Sequence, residues 1–300
     1  MTSIHCANAP CSWGILEFEH SGEPIAYTDV LDQMAESGFA GTELGDWGFL
    51  PTEHDLLQTQ LNRRGLALVG AFVPVALCHK ARHGEGIQQA LQTAQLLAKL
   101  NPDAFIILAD ENGSDSERTQ FAGRIEPARE TPADLWPTIL DGCHNLARTV
   151  REETGLQTLM HNHCAGMVET PNEIDFLMEH ADPDLLGLCL DTGHYAYGGG
   201  DPLAALCNHY ERIKHVHFKD CSPRVAAHAR REQLGYFEAV AAGVFCELGH
   251  GQVDFAGIVA ELKSRDYDGW IVVEQDVLPG MGTPFESARR NRHYLGQLGI

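Results

Sequence analysis

Eight short apolar runs recur along this chain, and a stretch with helical spacing follows each of them. The runs are 4–9, 41–45, 66–73, 104–110, 157–163, 187–191, 213–219 and 269–275. They are continuously apolar rather than alternating, as strands buried on both faces are. Between them, apolar residues at three- and four-residue intervals predict helices over 27–37, 52–64, 86–100, 132–154, 170–180, 201–209, 224–240, 255–264 and 283–298. Pro74 closes the third run, and Thr170–Glu173 reads as a capping box with proline at the first helical position. The polar, glycine-containing stretch 113–129 reads as a long loop over one end of the molecule.

Strand–helix alternation over 300 residues predicts an α/β fold, a single (β/α)8 TIM barrel occupying 1–300, with its active site at the C-terminal ends of the strands. A doubly wound open sheet is the competitor. It usually carries a GxGxxG turn after the first strand, and none follows here.

Composition narrows the function. A formal charge of −21 opposes binding to nucleic acid or to an anionic membrane surface. No run approaches the length of a membrane span, and the first residues lack the basic and apolar regions of a signal peptide. Nine cysteines without regular spacing read as reduced thiols, which places the chain in the cytoplasm.

Several of the runs end in side chains that bind metals or titrate. The stretch 188–276 holds CLDTGH, KHVHFKD and GWIVVEQD, which carry Asp191, His217 and Glu274. On the fifth run His161 and His163 alternate and so share a face, as do His215, His217 and Lys219 on the seventh. Asp191, His217, Glu274 and one of the two fifth-run histidines are therefore expected to converge on a divalent metal. Mixed nitrogen and oxygen donors suit Mn²⁺, Co²⁺, Fe²⁺ or Zn²⁺ rather than Ca²⁺. His163 and His215 are left to support that group.

Each of these residues also has a plainer reading. A strand-end histidine can be a hydrogen-bonded core residue, and Asp191 can be a helix cap. Lys219 is a candidate for acid–base chemistry, or for a surface ion pair with Asp220. Glu43 and Glu169 are candidates for binding substrate hydroxyls, Arg224 for orienting a substrate oxygen, and His194 for a place over the mouth. Trp13 and Trp47 read as pocket walls or as lids on the core.

The segments GTELG (41–45), HNHCAG (161–166), LDTGH (190–194), HVHFKD (215–220) and GWIVVEQD (269–276) resemble the xylose-isomerase-like barrel superfamily, nearest its inosose (2-keto-myo-inositol) dehydratases. The resemblance implies one divalent ion held by His161, Asp191, His217 and Glu274. Mn²⁺ or Co²⁺ comes first, with Zn²⁺, Fe²⁺ or Mg²⁺ as alternatives. It also implies a polyol or sugar ketone as substrate and a homo-oligomeric state. Epimerases of the superfamily usually carry Glu where this chain has His161, so the resemblance favours a lyase of inositol catabolism. In that reading Glu274 or Lys219 is the base, and Lys219 or His194 the acid. An isomerase or epimerase working through an enediolate is the second reading, and a non-catalytic sugar-binding barrel the third.

Overall fold

The computed structural model describes residues 4–14, 25–277 and 281–300. Its strands are His5–Asn8 (β1), Gly41–Glu43 (β2), Ala67–Val75 (β3), Phe105–Asp110 (β4), Gln157–His161 (β5), Leu186–Asp191 (β6), Ile213–Phe218 (β7), Asp220–Cys221 (β8), Phe245–Cys246 (β9) and Trp270–Val273 (β10). Eight of them close a parallel barrel in the order β1-β10-β7-β6-β5-β4-β3-β2. β8 and β9 form a separate antiparallel pair beside it. The expected (β/α)8 barrel is the observed fold.

The strands form where the runs are apolar because both faces are covered. In β4, Ile106, Ile107, Leu108 and Ala109 are all fully buried, some facing the barrel interior and others the helices outside. The helices carry one apolar stripe each. Ile139, Cys143, Leu146 and Val150 recur at three- and four-residue steps along Trp136–Thr154, and all are buried. No helix among the described residues is long and apolar enough to cross a membrane.

Three local expectations need correction, and the capping reading of Asp191 holds. β3 runs through Pro74 to Val75. β2 pairs with β3 only as far as Gly70, so the edge of β3 beyond that point needs no amide hydrogen, and Pro74 is tolerated. The stretch 113–129 contains a helix, Ser116–Phe121, capped by the Asp115 side chain on the Arg118 amide. The expected helix 224–240 is two, Pro223–Glu232 and Tyr236–Ala241, parted where Gln233 turns left-handed at φ 57° and Gly235 follows. A short helix, Thr192–Tyr197, leaves β6 directly, because the Asp191 carboxylate accepts the His194 amide hydrogen.

The capping box at Thr170 is present and has a second duty. Glu173 accepts two hydrogen bonds from Arg118, at 2.8 and 2.9 Å, with both side chains almost fully buried. It also accepts the amides of Thr131, Glu169 and Thr170. Arg118 in turn reaches the Gly166 carbonyl, so one ion pair pins the Ser116–Phe121 segment to the loop after β5. Glu173→Ala would strand a buried guanidinium and several amides. It should lower unfolding free energy by about 3–5 kcal/mol, read as a shift of the urea midpoint. A loss under about 1 kcal/mol would show that solvent reaches Arg118.

Candidate active site

Register brings the strand-end residues to one level. Asp191 on β6 pairs with His217 on β7, and His161 on β5 pairs with Cys189, two residues before Asp191. The amide of Glu274, just past β10, bonds to the Phe218 carbonyl and continues that ladder. Asn162 clips β5 to β6 by exchanging two hydrogen bonds, each 3.0 Å, with the backbone of Asp191. Side chains that alternate on short, clipped strand ends have few directions open to them.

One ligand atom from each of His161, Asp191, His217 and Glu274 lies within 4.8 Å of every other, and all four residues are buried. His161 Nε2 is 3.6 Å from Asp191 Oδ2, and His217 Nδ1 is 3.2 Å from Glu274 Oε1. The two imidazole nitrogens of His161, Nδ1 of His217 and Oδ2 of Asp191 are buried without a protein hydrogen-bond partner. A polar atom left this way in an interior costs free energy, and unpartnered atoms on three residues that converge with Glu274 mark a place that a cation would complete. Burial, with the charge of His217 beside it, pulls the His161 ring down to about 3, so this ring is neutral and offers a lone pair. His163 stands outside the group. Its ring lies 5.6 Å from that of His161, and its Nδ1 is 2.8 Å from the Cys164 carbonyl oxygen.

Lys219 is almost wholly buried, with Nζ 3.3 Å from Glu274 Oε2 and 3.6 Å from Asp276 Oδ2. Burial opposes its charge, but Asp276, Glu274 and Asp191 outweigh that and hold the ammonium well above the usual lysine range. The alternative pairing with Asp220 is absent. The Asp220 carboxylate instead accepts the amides of Cys221, Gly249, Gly251 and Val253, tying down the loop after β9. Gly193 lets Lys219 lie this low, since a Cβ there would meet Lys219 Cβ at 2.7 Å.

A cavity at the mouth is lined by Glu43, His161, His163, Lys219 and Glu274 among the expected residues. Asp46, Asn112, Tyr236, Cys11, Phe72 and Asp276 line it too, and sequence reasoning singled out none of these. Asp276 was within reach of it, two residues past Glu274 on an extended stretch. Tyr236 was not, because it opens a helix that follows an unforeseen break.

Four of the expected residues are elsewhere. Trp13 is buried, and its Nε1 donates to Gln33 on the helix Tyr27–Glu36, so it anchors the turn after β1. Glu169 is buried, accepts the amides of Gly123 and Ala165 on its two oxygens, and does not line the cavity. Arg224 is exposed in the first turn of Pro223–Glu232 and does not line the cavity. His194 is fully buried behind Lys219, with Nε2 3.5 Å from Nζ and Nδ1 accepting the Cys164 amide. It backs the lysine instead of facing the cavity.

Known proteins with this architecture are similar in sequence as well as shape. Residues 31–295 match the family of xylose isomerase-like TIM barrels. An inosose dehydratase of Geobacillus kaustophilus is 33% identical over 290 residues, 97% of this chain and 93% of the relative. The probable 3-DHS dehydratase AsbF of Bacillus anthracis superposes with a TM-score of 0.72 at 17% identity, covering 98% of this chain and 99% of the other. The IOLI protein, whose structure has a bound zinc atom, superposes with a TM-score of 0.72 at 14% identity, over 98% of both chains. The two structures share the fold; the relative spans almost the whole length. On these grounds the chain belongs to the xylose isomerase-like TIM-barrel family, in its inosose dehydratase branch.

Proposed function

We propose that this chain is a metal-dependent hydro-lyase that removes water from an inosose or a closely related cyclic polyol ketone. The observation that carries this reading is the buried set His161, Asp191, His217 and Glu274, in which atoms of the two histidines and of Asp191 lack hydrogen-bond partners, beside a buried ammonium on Glu274. Two imidazoles and two carboxylates suit Mn²⁺ or Co²⁺, and also Zn²⁺ or Fe²⁺, better than an ion that prefers all-oxygen ligands. When bound, a divalent ion would supply Lewis-acid polarisation of the substrate carbonyl.

The remaining steps belong to the chain's own residues. Glu43, Asp46, Glu274 and Asp276 face the cavity, and Lys219 is the one lysine or arginine among its described lining residues. Such a wall accepts hydrogen bonds from hydroxyl groups and repels phosphate or carboxylate. Glu274 Oε2 points away from His217 toward Lys219, and in this reading it takes the proton from the carbon next to the carbonyl. The released electron pair forms an enediolate. Lys219 Nζ gives a proton to the β-hydroxyl, which leaves as water as the carbon–carbon double bond forms. The enol product tautomerises to a 1,2-diketone. The 3.3 Å between Nζ and Oε2 lets the captured proton return to the lysine. Asp276 keeps that lysine charged between turnovers. An epimerase would need a second carboxylate on the β5 side of the substrate, where this chain presents His161.

Chelated protein mixed with 2-keto-myo-inositol should show no rise in ultraviolet absorbance until Mn²⁺ or Co²⁺ is added, and the rise should report the conjugated enol. Equal rates with and without metal would refute the reading. Glu274→Gln should lower kcat by about 10²- to 10⁴-fold, and a near-normal kcat in that variant would remove Glu274 as the base. A cyclic ketone carrying a carboxylate or phosphate should have kcat/KM at least about 100-fold below the neutral substrate. Equal values would mean that a cation outside the described wall contacts the substrate.

A further inference from the structure

We propose that Glu43 is a positioning residue for the metal-binding set, determining which nitrogen of His217 is presented to the ion. The inference rests on the metal reading above and adds a residue outside the four ligands.

Glu43 ends β2, three strands round the barrel from β7 in the order β2-β1-β10-β7. Its side chain reaches across the interior. Oε1 lies 2.8 Å from His217 Nε2 and 2.9 Å from His215 Nε2, and all three residues are buried. An ionised carboxylate has only lone pairs to offer, so both Nε2 atoms carry hydrogens and donate. When it ligates an ion, the His217 ring has given up its Nδ1 proton; it keeps the hydrogen at Nε2 against Glu43 and has its lone pair on Nδ1. That atom faces Glu274 Oε1 at 3.2 Å and has no hydrogen-bond partner. Glu43 thus selects the tautomer and the ring direction together, the outer-sphere part that a carboxylate plays for a ligating histidine. His215, two residues earlier on the same face of β7, donates to the same oxygen and keeps it in place.

Glu43, His215 and His217 also lie close enough to share an ion of their own. Separations of 2.8 and 2.9 Å are ordinary hydrogen-bond lengths, and the hydrogen-bonded reading needs nothing further.

The test uses the full chain, chelated and then loaded with Zn²⁺, which is diamagnetic. In protein with ¹⁵N-labelled histidine, two-bond ¹⁵N–¹H correlation spectra should show His217 protonated at Nε2 and metal-bound through Nδ1. Calorimetric titration should give one Zn²⁺ per wild-type chain. Glu43→Gln turns an amide NH₂ or a weaker acceptor toward two N–H donors. It should weaken Zn²⁺ binding by about 10- to 100-fold, keep the stoichiometry at one, and lose the single His217 tautomer. Coordination through Nε2 in the wild type overturns the proposal, and that spectrum decides even if the variant fails to fold. Unchanged Zn²⁺ affinity in Glu43→Gln also overturns it. Two ions per wild-type chain falling to one in the variant would replace it with a second metal site. A wild-type chain that binds no Zn²⁺, Mn²⁺ or Co²⁺ would instead defeat the metal reading on which the proposal rests.

Discussion

The mouth of the barrel buries more charge than a protein interior tolerates without compensation, and the architecture around it supplies that compensation. Glu43, Asp191, Glu274 and Asp276 are all at most 9% exposed. Two histidine N–H groups from β7 serve Glu43, and the Lys219 ammonium sits against Glu274 and Asp276. Each carboxylate is costly alone and acceptable in company. Within the cluster of His161, Asp191, His217 and Glu274, both nitrogens of His161, Nδ1 of His217 and Oδ2 of Asp191 stay without a hydrogen-bond partner. That is the pattern of a site prepared for a cation.

Secondary structure serves this arrangement at several points. Asp191 spends Oδ1 on the cap of Thr192–Tyr197 and leaves Oδ2 for the cluster. Thr192 then receives the Lys219 amide at 3.0 Å and returns its hydroxyl to the Lys219 carbonyl, which fixes the backbone below the ammonium. Beyond β7, Asp220 collects four amides and holds the loop that carries Leu248–Val253. Phe245 on β9 lies under Lys219 Nζ at 4.8 Å, adding a cation–π contact to the same group. Helix caps, a small antiparallel pair and one aromatic ring thus converge on a single buried lysine.

Much of this was legible in the chain, for an identifiable reason. A parallel strand covered on both sides needs an uninterrupted apolar run, so a titratable residue at its end stands out, as Asp191, His217 and Glu274 do. Alternation also put His215, His217 and Lys219 on one face, and the structure keeps them there. Residues whose meaning lies in a distant partner were harder to read. Glu43 does line the cavity, as a hydroxyl binder would, but its bonds to residues 172 and 174 positions away leave no mark in the local sequence. Trp13 and Glu169 looked like pocket residues, yet Gln33 and two backbone amides occupy them. The helix break at Gln233 had no proline to announce it and rests on one left-handed residue.

The sequence by itself determined the barrel, the order of its elements and the chemical identity of the groups at the strand ends. These follow from local periodicity and burial, which a linear pattern records. Only the tertiary structure decided which atoms meet: His161 in the cluster with His163 outside it, Lys219 on Glu274 and Asp276 with Asp220 turned away, Glu43 beneath two histidines. Such pairings depend on how a closed sheet is staggered, and stagger is a property of all eight strands together, carried by no single segment.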